Sequence, residues 1–190
     1  MRKAPLAGVG AALALALAAG TVAPAASAAG PGRPGSDTIT DIAVADGRFT
    51  YLVAALQATG LDAALDSNDT KYTVFAPTDA AFEKAADELA AAGVGDGTVG
   101  TLLGFLVAND LADDVLLYHV TDGRRFANSV VPKQGERAIS TLLGPSLSVS
   151  TSAKITDVSP ATSDAAIVIA NINASNGVIH AIDNVLVPLP

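Results

Sequence analysis

The chain has 190 residues, a formal net charge of −8 and no cysteine. Its acidity excludes the basic surface that nucleic-acid binding requires, and without cysteine neither a disulfide framework nor a lipid-bearing cysteine can exist. We therefore expect one domain held together by its hydrophobic core alone, which a chain of this length can build.

The first 28 residues have the pattern of a secretory signal peptide. Arg2 and Lys3 precede an apolar run from Leu6 to about Val22, and Ala26-Ser27-Ala28 provides the small residues that signal peptidase reads. A retained transmembrane anchor is less favoured, because glycines interrupt the run and no positively charged stop follows directly. We predict that residues 1–28 are cleaved, that the protein is secreted, and that no membrane anchor remains.

The mature chain is expected to begin with a spacer and two short helices. Residues 29–36 form a Pro/Gly-rich leader that cannot bury anything and is predicted to be flexible. The folded domain is predicted to occupy residues 37–190. Apolar residues recur at helical spacing from Ile39 to Ala43 and from Phe49 to Leu56, and Gly60 then ends the second helix.

A buried strand and a capped helix follow. Tyr72 to Ala76 is rich in β-branched and aromatic residues, which suit a buried strand, and Pro77 ends it. Thr78 or Asp79 can then accept hydrogen bonds from the first turn of a helix whose inner face includes Phe82. The sequence predicts strand, proline, cap and helix in immediate succession.

The next segment combines glycines with apolar residues. We predict a loop between Gly93 and Gly104 that leads into an apolar turn, because five of the twelve residues from Gly93 to Gly104 are glycines. Apolar residues at Leu111, Val115 and Tyr118 have helical spacing. This helix is expected to deliver His119 into or beside the core.

The rest of the chain has the pattern of strands. Ser146 to Ser150 alternates polar and apolar residues, and Ala166 to Ile172 is rich in β-branched residues. Asn176-Gly177 is a strong turn signal before a further strand from Val178 to Val187. Because helices come first and strands later, the sequence predicts an α+β fold on an antiparallel sheet.

The two histidines are the candidates for chemistry. Together with Asp79 or Asp183, His119 and His180 could bind a metal ion or serve a hydrolase. A metal site is not favoured, because strand spacing of three puts His180 and Asp183 on opposite faces of the sheet. A serine hydrolase is not favoured either, because the nearest approach to a nucleophile elbow, residues 144–148, lacks the final glycine.

The favoured interpretation of both histidines is structural. A neutral imidazole can donate from one nitrogen and accept at the other, and so satisfy buried backbone groups. An unpaired buried ring would cost about 1 to 3 kcal/mol, so we predict polar partners for both rings. We predict no catalytic residue, no metal and no cofactor.

Three motifs, in the order in which they occur, resemble one family. Tyr72 to Phe82, YTVFAPTDAAF, resembles the first signature of the fasciclin domain, and Leu116 to Val120, LLYHV, resembles its central Tyr-His motif. Ala170 to Pro188, ANINASNGVIHAIDNVLVP, resembles its second signature. The chain is similar to bacterial secreted single-domain members, and its structural motif residues are Thr78, Asp79, Phe82, Asn176, Gly177, His180 and Asp183.

The resemblance implies a fold and a function. It implies a wedge-shaped antiparallel β-sandwich with helices packed at one side, and a non-enzymatic protein, secreted or associated with the cell wall. We expect the protein to be a monomer. Such a protein would mediate cell adhesion through an extracellular protein, matrix or glycan partner. In animal matrix members the Tyr-His segment and an Asp-Ile pair have been implicated in integrin binding. Tyr118 and His119 match the former and are the candidate interaction residues, whereas Asn171-Ile172 replaces the acidic pair.

Two alternatives from other functional classes stay open. One is an exported hydrolase that depends on the two histidines, and the other is a carrier of a small apolar ligand held between helices and sheet.

Overall fold

The computed structural model describes residues 36–67, 69–159 and 162–188. The predicted signal peptide, residues 1–28, lies outside these ranges, as does all but the last residue of the predicted leader 29–36. Within these ranges, none of the helices is long and apolar enough to cross a membrane.

The described chain contains seven helices and seven strands. The helices are α1 (Ile39–Asp46), α2 (Thr50–Thr59), α3 (Leu61–Asp66), α4 (Asp79–Ala91), α5 (Val99–Ala108), α6 (Ala112–Tyr118) and α7 (Ala127–Val130). The strands are β1 (Tyr72–Pro77), β2 (Val120–Asp122), β3 (Glu136–Ser140), β4 (Ser146–Ser150), β5 (Lys154–Thr156), β6 (Ala165–Ala174) and β7 (Gly177–Ile182).

Helix α5 occupies much of the stretch that the sequence predicts to be a loop. Thr98 caps its start by accepting a hydrogen bond from the Thr101 N–H. Gly100 and Gly104 have open space where a β-carbon would be, whereas Val99 and Leu102 are buried. The loop prediction was wrong for this part, because the glycines lie on the outer side of a helix whose apolar residues face inward.

The strands form one mixed sheet in the order β2-β1-β7-β6-β5-β4-β3. Strands β1 and β7 are parallel, with Tyr72 opposite Gly177, and the other five pairings are antiparallel. The α+β class is confirmed, but the expected antiparallel sheet contains this one parallel pair. It arises because β1 and β7 lie far apart in the chain and are not joined by a hairpin.

The sheet separates two hydrophobic clusters. Side chains of β1 alternate between them, since Val74 and Ala76 pack against the helices while Phe75 points into the other cluster. That second cluster is closed by β3, β4 and β5, with Ile139, Leu147 and others. Helices α1 to α6 therefore cover one face of the central strands, and the distal strands, together with Val130 of α7, cover the opposite face.

Candidate functional site

His119 follows the last residue of α6 and is buried, with 2 % of its surface exposed. The backbone N–H of Leu186 donates to its Nε2 at 3.0 Å, so the ring proton is on Nδ1, which donates to the Val115 carbonyl oxygen at 2.6 Å. Burial lowers the pKa of His119 to about 4, against an opposing effect of the bond to Val115. The neutral ring joins α6 to the C-terminal segment.

His180 lies in β7 and is fully buried. Its ring stacks on Phe75 of β1, with the ring centroids 5.8 Å apart. Nε2–H donates to the Arg125 carbonyl oxygen at 2.9 Å, and the Asn171 N–H donates to Nδ1 at 3.4 Å. Burial lowers the pKa of His180, and the bond to Arg125 opposes this effect. This ring is also neutral, and it holds the chain after β2 against the bulged part of β6.

The two imidazoles serve different parts of the molecule. His119 lines an apolar space among the helices, whereas His180 lies on the other side of the sheet beside Phe75. Each ring uses both nitrogens for backbone groups, so neither nitrogen is free for a substrate or a metal. Among the described residues, no three His, Asp or Glu side chains are grouped as they would be around a metal ion.

Tyr118, the other candidate interaction residue, is also buried, with 0 % exposed. Among the described residues, its hydroxyl has no hydrogen-bond partner within normal distance and angle. Burial raises the pKa of Tyr118, with a smaller opposing effect from the Val158 backbone and a further increase from the charge of Asp157. Because Tyr118 and His119 are both enclosed, a partner of the folded chain cannot touch either side chain directly.

Asn176 joins two helices to the sheet. It is fully buried in the short turn between β6 and β7. Its Oδ1 accepts from the Ile39 N–H at 2.9 Å, in the first turn of α1, where backbone donors lack partners within the helix. Its Nδ2 donates to the carbonyl oxygens of Leu65 at 2.5 Å and Ser67 at 3.0 Å, at the end of α3. One amide side chain therefore satisfies three backbone groups, two of them in buried hydrogen bonds.

Gly177 lies in β7, opposite Ala174, so the turn consists of the two residues before it. The predicted turn, Asn176-Gly177, therefore lies one residue too late in the chain, because the observed turn consists of Ser175 and Asn176. A β-carbon at position 177 would lie 2.1 Å from the Tyr72 carbonyl oxygen and 2.6 Å from Cδ1 of Ile39. Glycine is needed here because β1 and α1 approach the backbone closely, rather than because of a turn conformation.

The first signature connects α4 to α2. Thr78 is the N-cap of α4 and accepts from the Ala81 N–H at 3.3 Å. Asp79 accepts from the Tyr51 N–H at 3.0 Å, in the first turn of α2, whose own N-cap offers no side-chain hydrogen bond. Phe82 is buried and meets the Tyr51 ring edge-on, with centroids 5.9 Å apart. These residues therefore dock one helix on another.

The second signature ends in a polar network that the sequence interpretation partly missed. Asp183 accepts from the Ala166 N–H at 2.6 Å and so extends the pairing of β6 with β7. Asn184, fully buried, donates to Glu88 Oε2 at 3.1 Å and to the Ser163 carbonyl oxygen at 2.7 Å. Burial acts to raise the pKa of Glu88, but hydrogen bonds from Ser163 and Asn184 outweigh it and lower the value. The signal available in the sequence was an asparagine within an aliphatic run.

Charged residues are distributed unevenly along the chain. Residues 37–122 include fifteen acidic and three basic residues, whereas residues 123–156 include five basic residues and one acidic residue. We call Arg124, Arg125, Lys133 and Arg137 the basic segment. Its three arginines donate to backbone carbonyl oxygens: Arg124 to residues 174 and 175, Arg125 to residue 122, and Arg137 to residue 129. The acceptors in these bonds are therefore neutral carbonyl groups and not carboxylates. The basic segment is thus a positively charged stretch of an otherwise acidic chain.

Comparisons with known proteins agree in one family. The model of the fasciclin domain matches residues 47–188. Protein sll1483 of Synechocystis sp. is 38 % identical over 152 residues, which are 80 % of this chain and 73 % of that protein. Transforming growth factor-beta-induced protein ig-h3 of Sus scrofa is 35 % identical over 158 residues, which are 82 % of this chain but 20 % of that protein.

A solved structure agrees in fold. A FAS1 domain pair from the insect cell adhesion molecule fasciclin I matches with a TM-score of 0.62 and 17 % sequence identity, over 80 % of this chain and 51 % of that chain.

Proposed function

This chain belongs to the fasciclin domain family, and we propose that it is a non-enzymatic adhesion module. It binds an extracellular protein, matrix or glycan partner at the cell surface. The observation that carries the proposal is that both imidazoles are neutral and use both nitrogens within the fold. A histidine that acts as a general base or metal ligand needs a free nitrogen, so neither histidine is available for such chemistry, and recognition by the outer surface fits this scaffold.

The basic segment is the surface that we assign to recognition. Arg124, Lys133 and Arg137 are exposed, as is the large apolar side chain of Phe126 beside them in the chain. Arginine and aromatic side chains are enriched where proteins bind partners. The partner that fits this segment carries negative charge, and its binding weakens as salt screens the attraction.

Export is part of the proposal. The N-terminal signal peptide pattern and the absence of cysteine fit a protein that is released, or held at the cell wall by its partner rather than by a lipid or a membrane span. The module acts as a monomer, so one copy presents one basic segment. Size-exclusion chromatography with light scattering on protein purified from culture medium tests both statements.

A matched pair of charge reversals tests the recognition surface. The purified protein is immobilised and exposed to heparin, as a polyanionic glycan, and to a cell-surface extract. Lys133→Glu in the basic segment should reduce binding and its salt dependence, because it removes one of the attracting charges. Lys84→Glu, the same change on α4, should leave binding unaltered. Equal losses for the two variants, or full binding by Lys133→Glu, would contradict the assignment.

A further inference from the structure

Two apolar cavities lie against the inner side of α5. One has a volume of about 90 Å³ and extends towards α2, and the other has a volume of about 80 Å³ and extends towards α4. Leu106, Val115 and Val185 line both cavities. The two spaces are therefore neighbours, and these three side chains form the partition between them.

The lining of the cavities defines the chemistry of an occupant. Among the described residues that line them, the side chains are aliphatic or aromatic apart from His119. Both nitrogens of His119 are already bound to backbone groups. An occupant would thus find no polar group to bind, and an apolar space of this kind accepts apolar molecules.

Helix α5 is suited to be a removable cover. It has ten residues, and Gly100 and Gly104 each lower its intrinsic helical stability by about 1 kcal/mol relative to alanine. A helix of this length is marginal in water without tertiary contacts. Open space surrounds both glycines on its outer side, and Val107 is 57 % exposed. The contacts that hold α5 are therefore mainly those on the side of the cavities, where a ligand can replace them.

We propose that the two cavities form one site for a small neutral hydrocarbon-like ligand, such as a single ring or a short alkyl chain, and that α5 covers it. An apolar cavity of about 150 Å³ is enough to hold benzene. Each cavity alone is smaller than this, so the ligand occupies both and turns the Leu106 side chain aside. The site gives the chain a carrier function that is independent of the basic segment.

Benzene, with benzoate as its charged counterpart, tests the site by titration of the methyl NMR signals of the intact protein. Benzene should shift the signals of Leu106, Val115 and Val185 to saturation, and benzoate should not. Ala55→Leu and Ala85→Leu, which fill the first and the second cavity, should each abolish the saturable shifts. Ala80→Leu, an exposed change on α4, should preserve them.

Widening the site gives an independent measurement. Leu106→Ala shortens the side chain of the partition that the ligand must turn aside. It should lower the dissociation constant of benzene about fivefold if turning Leu106 aside costs as much as an unfavourable rotamer. The proposal is overturned by any of three results: no saturable shift in the unsubstituted protein up to the solubility of benzene, unchanged shifts in a folded cavity-filling variant, or equal binding of benzoate. If neither filling variant folds, an unchanged dissociation constant in Leu106→Ala is decisive against it.

Discussion

The buried neutral ring of His119 should make the protein sensitive to acid. In the unfolded chain a histidine takes up a proton below about pH 6.5, whereas burial keeps the folded His119 neutral down to about pH 4. Between these two values the unfolded state therefore holds one more proton than the folded state. The stability from this residue is complete above pH 6.5 and is lost progressively as the pH falls towards 4.

The size of the effect follows from the two pKa values. Each unit of difference corresponds to 1.36 kcal/mol, so the shift from 6.5 to about 4 corresponds to about 3 kcal/mol of unfolding free energy. A domain of this size has a total stability of about 5 to 15 kcal/mol. The proton uptake of His119 on unfolding should thus remove a substantial part of the unfolding free energy as the pH falls. The lowered pKa of His180 has an effect in the same direction.

Urea unfolding followed by circular dichroism between about pH 7 and pH 4 measures this loss. His119→Gln keeps a polar side chain but removes the titration. The difference in unfolding free energy between the unsubstituted protein and this variant should shrink by about 3 kcal/mol over that range. Carboxylates that titrate in acid, such as Glu88, contribute to both proteins and cancel in the difference. A difference that is constant with pH would refute the assignment of a neutral, fixed ring.

Three further predictions concern residues that join the elements, each measured by urea unfolding at neutral pH. Gly177→Ala should lower the unfolding free energy by about 2 to 3 kcal/mol or prevent folding, because the new β-carbon would overlap β1 and α1. Gly100→Ala, on the open side of α5, should instead raise the unfolding free energy by about 0.5 to 1 kcal/mol. Comparable losses for the two variants would contradict the steric explanation. Asn176→Ala removes the amide partner of three backbone groups, two of them in buried hydrogen bonds, and should cost about 2 to 4 kcal/mol. The control Asn173→Ala, at an exposed position of β6, should change stability by less than about 0.5 kcal/mol. Asp79→Ala removes the cap of α2 and should cost about 1 kcal/mol, so an unchanged midpoint would exclude that role.

Local patterns in the sequence were enough to predict many of the helices and strands. The strand at β1, the cap at Thr78 and the helix that ends at Tyr118 were all predicted, because each depends on neighbouring residues. Short strands were missed: β2 and β5 have three residues each, too few for a periodic pattern. The parallel pairing of β1 with β7 depends on contacts between positions about a hundred residues apart, which no local rule contains.

For the site residues, too, local features could be predicted from the sequence and tertiary partners could not. An imidazole among aliphatic residues indicated a buried, hydrogen-bonded ring, and both rings have polar partners. The partners themselves, such as the Leu186 N–H for His119, are set by tertiary packing and could not be named from the sequence. For Gly177 the local turn rule gave the wrong reason, since the residue is required by the approach of Tyr72 and Ile39 rather than by a turn.

The separation between buried and exposed groups has a consequence for how the module responds to its surroundings. The side chains of His119, His180 and Asn176 are buried, so salt screens their interactions weakly. The basic segment lies at the surface, where salt screens an attraction to a negatively charged partner strongly. Acid and salt should therefore act on different properties: acid lowers the stability of the fold through His119 and His180, whereas salt at neutral pH lowers binding and leaves the unfolding transition in place. A protein without disulfides can in this way keep the stability of its core independent of the charges on its basic segment.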